Sequence, residues 1–261
     1  MTLAKKTVLL TGAAQGLGLT ATKLLAQRAY RVILVDIQSV EEQVLRLREL
    51  GGEAHGISGD VSSEEFVREL AQKIGRDYGA IDGLVNNAGI SLIVPAEQTS
   101  AAQWQRVMAI NLFAPFLLCR YLGAQMLTRG SGSIVNVASI AGLAAVSHRS
   151  AYNASKHGLV GLTKTLAAEW GGRGVRVNAV CPGWIKTEMD VADQGSGAYS
   201  DHDITDRVPQ GRFARAEDVA QAIAYLADDT KSAFVNGTTL TVDGGWLADA
   251  SWESLRLRTR R

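Results

Sequence analysis

Cysteine is scarce in this sequence: 261 residues carry two, Cys119 and Cys181, set far apart and without a metal-type spacing. That scarcity argues against a disulfide framework and suits a reducing compartment. An excess of either charge is also missing. Lys and Arg number 27 against 26 Asp and Glu, a net charge of +1. So even a balance gives no electrostatic footprint for nucleic acid or an anionic membrane surface. No Pro- or Ser-rich stretch, low-complexity run or fixed-period repeat breaks the chain, so no linker is evident. The expectation is one domain over 1–261, long enough to bury a large core without disulfides or a structural metal. Met1 to Lys6 is too short and polar, ahead of Val8, to serve as a secretory leader. No apolar run approaches the roughly 20 residues of a membrane span. These absences lead to the expectation of a soluble, cytoplasmic protein. One local excess stands out, the cluster Arg256, Arg258, Arg260 and Arg261, expected to be a solvated or subunit-contacting tail.

What the sequence does have is alternation. Thr7–Leu10, Val32–Val35, Leu84–Val85, Ile134–Val137, Val175–Val180 and Thr238–Val242 are short and rich in β-branched residues, the signature of buried strands. A third strand is expected just before Gly59. Stretches with helical spacing lie between them: Leu17–Ala29, Val40–Leu50, Ser63–Tyr78, Gln103–Met126, Ser150–Trp170 and Ala216–Leu226. Ser63 suits an N-cap with Glu64 and Glu65 in the first turn, and Pro115 predicts a kink. Strand–helix alternation through the whole chain predicts an α/β fold: a doubly wound parallel sheet of about seven strands with helices on both faces. Ligands in such folds sit at the carboxyl ends of the strands.

The loops after the strands therefore carry the chemistry. The first strand runs into Thr11-Gly12-Ala13-Ala14-Gln15-Gly16-Leu17-Gly18 and then a helix. Glycines allow a tight turn and close approach of backbone to a pyrophosphate, and a helix N-terminus offers unpaired N–H groups to it. The spacing is T-G-x-x-x-G-x-G, wider than the general dinucleotide fingerprint, but its place between strand and helix is the one that motif requires. Asp36 ends the second strand, about 20 residues later, where a carboxylate can take both ribose hydroxyls of NAD. A 2′-phosphate would be repelled there, and neither Ile37, Gln38 nor the loop supplies a cation, so the cofactor expected is NAD. Asp60, with the amide of Val61, is placed to read the adenine edge.

In Tyr152-Asn153-Ala154-Ser155-Lys156 a phenol and an ammonium stand one helical turn apart on one face. A phenol ordinarily ionises near pH 10, and a neighbouring cation lowers that value. Tyr152 can then exchange a proton with an alcohol or ketone. Ser139, at the end of the fifth strand, can hydrogen-bond the reacting oxygen. Asn86-Asn87-Ala88-Gly89 follows the fourth strand and lets a cofactor pass close. Asn111 is a polar residue in an apolar helical stretch and needs partners if buried.

Taken together, Thr11 to Gly18, Asn86 to Gly89, Ser139, Tyr152/Lys156 and Pro182-Gly183-Trp184-Ile185-Lys186-Thr187 resemble the short-chain dehydrogenase/reductase family, in its compact single-domain form, from Lys6 to Gly245. The resemblance implies a Rossmann fold and hydride transfer between NAD(H) and a secondary alcohol or its ketone. It implies that Asn111, Ser139, Tyr152 and Lys156 form the catalytic set, with Asn111 holding a water that links Lys156 to solvent. It further implies that Gly12, Gln15, Gly16, Leu17, Gly18, Asp36, Asp60, Val61, Asn87, Ala88, Gly89, Tyr152, Lys156, Pro182, Gly183, Ile185 and Thr187 hold the dinucleotide. Residues 188–208 would form a substrate lid, and a homotetramer would be the usual assembly. Ser139, Tyr152, His148 and Trp184 are the expected substrate contacts, with Arg149 and Met189 as further borders. The polar composition of the lid suggests a polyol, sugar or hydroxyketone. A 3-oxoacyl-thioester reductase and a non-catalytic NAD-binding regulatory protein are the alternatives.

Overall fold

The computed structural model describes residues 5–195, 197, 199–252 and 255–256. Ser196 of the expected lid and Arg258, Arg260 and Arg261 of the basic tail lie outside the described residues. Seven parallel strands form one sheet in the order β3-β2-β1-β4-β5-β6-β7. They are β1 (Thr7–Thr11), β2 (Arg31–Asp36), β3 (Glu53–Ser58), β4 (Gly83–Asn86), β5 (Gly132–Val137), β6 (Val175–Pro182) and β7 (Thr239–Val242). The strand order reverses between β1 and β4, which opens a crevice beyond their carboxyl ends.

Both faces of the sheet are buried, and residue alternation along each strand assigns side chains to one layer or the other. Val8 and Leu10 of β1, with Val32 and Leu34 of β2, pack against Leu17, Ala21 and Leu25 of helix Gly16–Gln27 and Val219 and Ile223 of helix Ala216–Ala227. Their neighbours Leu9, Ile33 and Val35 face the opposite layer, against Val67, Leu70 and Ile74 of helix Glu64–Asp77 and Leu117, Leu118 and Leu122 further on. Two-sided burial explains why the strands read as continuous apolar runs. β3 lacks that run: Glu53, His55 and Ile57 are less buried than Ala54, because it is an edge strand. Cys119 and Cys181 are buried free thiols, pushed up to about 12 and about 11 by burial.

Helix starts follow local capping. Ser63 Oγ accepts from the Phe66 N–H at 3.3 Å, as its sequence position suggested. The long helical stretch starts at Ala101, two residues before the expected Gln103. Ser100 and Gln103 form a reciprocal capping box there, with bonds of 3.2 and 2.9 Å. The Pro115 kink is realised as a change of helical pitch. Residues Ala109–Phe113 and Cys119–Gly123 are π-helical, on either side of an α-helical turn that has Pro115 at its start. Proline supplies no N–H to the carbonyl four residues back, that of Asn111, and a wider turn absorbs the fault.

The whole stretch Ala101–Arg129 is long and apolar enough to cross a bilayer by length and composition, although 56% of its most apolar window is buried within the protein. That departs from the expectation that no segment approaches spanning length. Arg106 and Arg120 interrupt it into shorter apolar runs, while the helix itself is continuous.

A buried polar chain places the helix Ser150–Trp170 on the sheet. Asn86 Nδ2 of β4 donates to Asn136 Oδ1 of β5 at 2.8 Å, and Asn136 Nδ2 donates to Thr163 Oγ1 at 2.9 Å. Each of these residues is fully or nearly fully buried, so a slip of that helix would strand polar groups without partners.

Candidate active site

One cavity of about 440 Å³ runs across the carboxyl ends of the central strands. The glycine loop forms its floor. Gly12 has φ +63°, and a side chain there would lie 2.9 Å from the Ala88 Cα of the facing loop. At Gly18 a Cβ would sit 1.9 Å from the Gly12 carbonyl oxygen, so any side chain would push the loop apart. Asn87 locks this turn, its Nδ2 donating to the carbonyls of Thr11 at 3.0 Å and Gly12 at 2.9 Å. Asn87 therefore borders the cavity, but its amide is spent on the loop. The helix Gly16–Gln27 begins here with no side-chain cap and no acidic residue in its first turn. Its N–H groups and the positive end of its dipole suit an anion, and the Glu188 carboxylate already comes close, with Oε2 3.1 Å from where a Cβ at Gly16 would stand.

Asp36 closes the cavity's far side. Its Oδ2 accepts from the Ala14 N–H at 2.9 Å and its Oδ1 from the Gln38 N–H at 3.0 Å. Two backbone donors orient the carboxylate and leave lone pairs for further donors, since an ionised carboxylate has about four acceptor positions. Asp60 lies next along the wall. Burial opposes its charge, but hydrogen bonds from Ser62 and the Arg106 guanidinium outweigh that and hold its carboxyl below the usual range.

At the other end stand the reactive groups. Lys156 is buried, and its Nζ donates to the Val137 carbonyl at 2.8 Å and lies 5.7 Å from the centre of the Tyr152 ring. Burial pushes its ammonium down to about 8. Burial pushes the Tyr152 phenol up, while a Ser139 hydrogen bond and the Arg149 charge pull it down and Asp193 raises it again; the net is upward. The expected lowering of the phenol by Lys156 is therefore not present in this arrangement. Burial dominates the phenol, and the ammonium is engaged on the Val137 carbonyl instead. The two side chains do meet on the wall of the cavity that holds the glycine turn.

Asn111 is fully buried behind them. Its Oδ1 accepts from the Ile90 N–H at 2.9 Å, and its Nδ2 donates to the Ile90 carbonyl at 2.9 Å and Ser155 Oγ at 3.2 Å. The side chain thus ties the loop after β4 to the helix bearing Tyr152. A Cβ built at Gly89 would lie 3.3 Å from Asn111 Oδ1 and 3.6 Å from Lys156 Nζ, so these groups converge on one point.

Every residue expected to hold the dinucleotide lines this one cavity, as do Ser139, Tyr152 and Trp184. Asn111 stands behind the wall. His148 is the exception among the substrate contacts. It is exposed, its backbone is left-handed with φ 60°, and it does not reach the cavity. That turn brings the next residue, Arg149, inward instead. Arg149 is 7% exposed, and its Nη1 meets Ser91 Oγ at 2.7 Å and Asp193 Oδ2 at 2.9 Å. Sequence reading placed Arg149 only among the further borders; a lone Arg beside a His carries no signal of which one turns in. The segment 188–208 contains two short helices, Glu188–Gln194 and Asp201–Thr205. The first covers the Tyr152 end, with Met189, Asp190 and Asp193 in the wall.

Comparison with known proteins agrees with this fold. A family profile described as "Enoyl-(Acyl carrier protein) reductase" matches residues 12–247. The D-threitol dehydrogenase of Mycolicibacterium smegmatis is 41% identical, covering 92% of each chain. The cis-4-hydroxycyclohexanecarboxylate dehydrogenase of Sinomonas cyclohexanicum is 39% identical over 94% of this chain and 98% of its own. Among solved structures, a putative NAD(P)-dependent gluconate 5-dehydrogenase from Beutenbergia cavernae with bound NADP (low occupancy) superposes with a TM-score of 0.90 at 38% identity, covering 95% and 98% of the two chains.

Proposed function

The chain belongs to the short-chain dehydrogenase/reductase family, and from that premise we propose that it interconverts a secondary alcohol and its ketone with NAD(H), acting on a small polyol, sugar or hydroxyketone. The observation that carries this reading is the sharing of one cavity. Tyr152, Ser139 and Lys156 border it at one end, and an uncapped helix N-terminus with Asp36 borders it at the other. The residues fit a dinucleotide: Gly12 and Gly18 keep the cradle free of side chains, and Asp36 has acceptor capacity to spare.

In this reading Gly12 to Gly18 receive the pyrophosphate, and Asp36 accepts from both hydroxyls of the adenosine ribose. A bound oxidised nicotinamide would supply the acceptor for the hydride that leaves the alcohol carbon. Tyr152 takes the hydroxyl proton of the alcohol, and Ser139 donates a hydrogen bond to the same oxygen as it becomes a carbonyl. Lys156 favours the phenolate and holds the nicotinamide ribose. Asn111 would hold a water that links Lys156 to solvent, and the proton would leave by that relay. In reduction each transfer runs backward. NAD is favoured over NADP by the negative charge of Asp36, although the Beutenbergia structure holds NADP.

The test is a coupled assay of NADH formation against polyols, cyclic alcohols, 3-hydroxyacyl thioesters and steroids, run beside NADP. Turnover of small hydroxylated alcohols with at least a tenfold preference for NAD is expected. Turnover confined to acyl thioesters would move the assignment to a 3-oxoacyl reductase, and NAD binding with no turnover would favour a regulatory protein.

The same proposal includes a cytoplasmic homotetramer. Phe113 and Phe116 stand exposed and stacked on the long helix, and Phe234 and Trp252, which flank the C-terminal strand in sequence, are also exposed, as apolar side chains available for subunit contact. Light scattering at four times the mass of one 27.8 kDa chain is expected, and a monomer would refute it.

A further inference from the structure

Arg149 is a buried cation that the proposed chemistry leaves without a task. It sits three residues before Tyr152, at the N-terminal boundary of the helix Ser150–Trp170. Its guanidinium lies 5.9 Å from the centre of the Tyr152 ring, 5.3 Å from that of Trp184 and 6.0 Å from that of Tyr199. All four residues border the cavity at the Tyr152 end. Nη1 is committed to Ser91 Oγ and Asp193 Oδ2, and Ser91 Oγ itself donates to the same Asp193 oxygen at 2.9 Å. Nη2 is buried and has no hydrogen-bond partner among the described residues. A guanidinium carries five N–H donors, and a buried one left unsatisfied is costly. The Trp184 indole N–H, on the same wall, is likewise buried and unpartnered among the described residues. Two donors are thus held beside the proposed proton-transfer group with nothing to donate to.

The charges decide what they receive. Arg149 is matched by Asp193 at 2.9 Å, with both side chains largely buried. Asp190 lies on the same wall, accepting from the Tyr199 hydroxyl at 2.8 Å and facing Lys186 at 3.3 Å. Among the described residues at this end, Arg149 and Lys186 each face a carboxylate, and the remaining cation, Lys156, is turned onto the Val137 carbonyl, so none of the three is held out to receive a carboxylate. A hydroxyl suits this end better: its oxygen accepts from a guanidinium or indole, and its proton needs an acceptor such as a carboxylate.

We infer that Arg149, neutralised by Asp193, is the specificity-determining group of the substrate cavity, and that the pair selects uncharged hydroxylated substrates and rejects hydroxy acids of the same length. The inference rests on the alcohol-oxidising reading above and deepens it. Asp193 comes from the lid helix Glu188–Gln194 and Arg149 from the loop before Tyr152, so the selecting pair forms only where the lid meets the helix that carries the phenol. The carboxylate on the lid supplies the discrimination by occupying the cation that an acid would seek.

The test compares kcat/KM for a four-carbon polyol and for the trihydroxy acid of the same carbon length, with NAD, in the wild type, Asp193→Asn and Arg149→Lys. The wild type should prefer the polyol by at least tenfold. Asp193→Asn frees the guanidinium for an anion, so the polyol-to-acid ratio should fall by tenfold or more, mainly through a lower KM for the acid. Arg149→Lys keeps the charge and loses the fork, so it should raise KM for the polyol with a smaller change in kcat. A wild-type preference for the acid, or an unchanged ratio in Asp193→Asn, overturns the inference while leaving the dehydrogenase reading in place. Absence of turnover with every alcohol tried overturns that reading and this one with it. If Asp193→Asn fails to fold, the wild-type ratio still decides.

Discussion

Replacing Tyr152 by phenylalanine is expected to lower kcat by about 10²–10⁴-fold, the usual worth of a positioned general acid or base. The substitution removes one oxygen and leaves the ring, so its packing beside Lys156 and Arg149 persists. The glycine cradle and Asp36 are at the other end of the cavity, and NADH affinity should change by less than about threefold, since no charge or pyrophosphate contact is touched. The pH profile supplies a second readout. Burial pushes the free phenol upward, so alcohol oxidation in the wild type should speed up as pH rises toward the apparent ionisation of the Tyr152–Lys156 pair. Ketone reduction, which needs the protonated phenol, should slow over the same range. Both dependences should vanish in the variant. Steady-state kinetics with NADH fluorescence titration checks this; full activity in Tyr152→Phe would assign the proton transfer elsewhere.

Lys156→Met is expected to have opposite effects on activity and on stability. A cation within about 4–6 Å of an acid typically moves its ionisation by a factor of about 10–10³. In the working complex kcat/KM for oxidation at pH 7 should therefore fall by about that factor, with the rising limb displaced to higher pH. Stability should move the other way. The ammonium ionises at about 8 in the folded protein against 10.5 ordinarily, because burial disfavours its charge, which corresponds to about 3 kcal/mol of cost at pH 7. Its bond to the Val137 carbonyl, lost in the variant, is worth about 1 kcal/mol. The remaining ~2 kcal/mol corresponds to a rise in Tm of about 4–8 °C for a chain of this size.

The sign of the pH dependence follows from the same shift. A lysine with a lowered folded pKa carries its full penalty below about pH 8, and the penalty fades as pH rises toward 10.5, where the unfolded chain also loses its proton. The advantage of Lys156→Met should therefore shrink between those values. Calorimetry of ligand-free protein at pH 7 and pH 10 checks both points. A lower Tm in the variant at pH 7 would mean that the ammonium stabilises the fold.

Most of the architecture was legible in advance because the interior of a doubly wound sheet is written in short-range pattern. Strands buried on both faces must be apolar throughout, so β1, β2, β4, β5 and β6 stood out. The helix Ser150–Trp170 was read to its observed ends. The loop from Gly12 to Gly18 and the pair Tyr152/Lys156 were legible for a related reason: each is a set of residues close in the chain and tied to one element. Less legible were features set by neighbours distant in sequence. β3 carries a weak pattern because it lies at the sheet edge, and the split of the long helix into α and π turns depends on the geometry around Pro115. The commitment of the Asn87 and Asn111 amides to backbone groups in facing loops was equally hidden.

The amino-acid sequence by itself determined the fold class, the place of the glycine turn and the pairing of a phenol with an ammonium on one helix face, because periodicity, glycine spacing and an i, i+4 pair are local properties of a chain. Tertiary structure alone decided the rest. It turned His148 outward and Arg149 inward, seated Lys156 on the Val137 carbonyl, and brought Asp193 of the helix Glu188–Gln194 against Arg149 across a gap of 44 residues. Charges so distant in sequence influence one another only when folding removes the water between them, and the strength of that influence depends on burial, which no local pattern encodes.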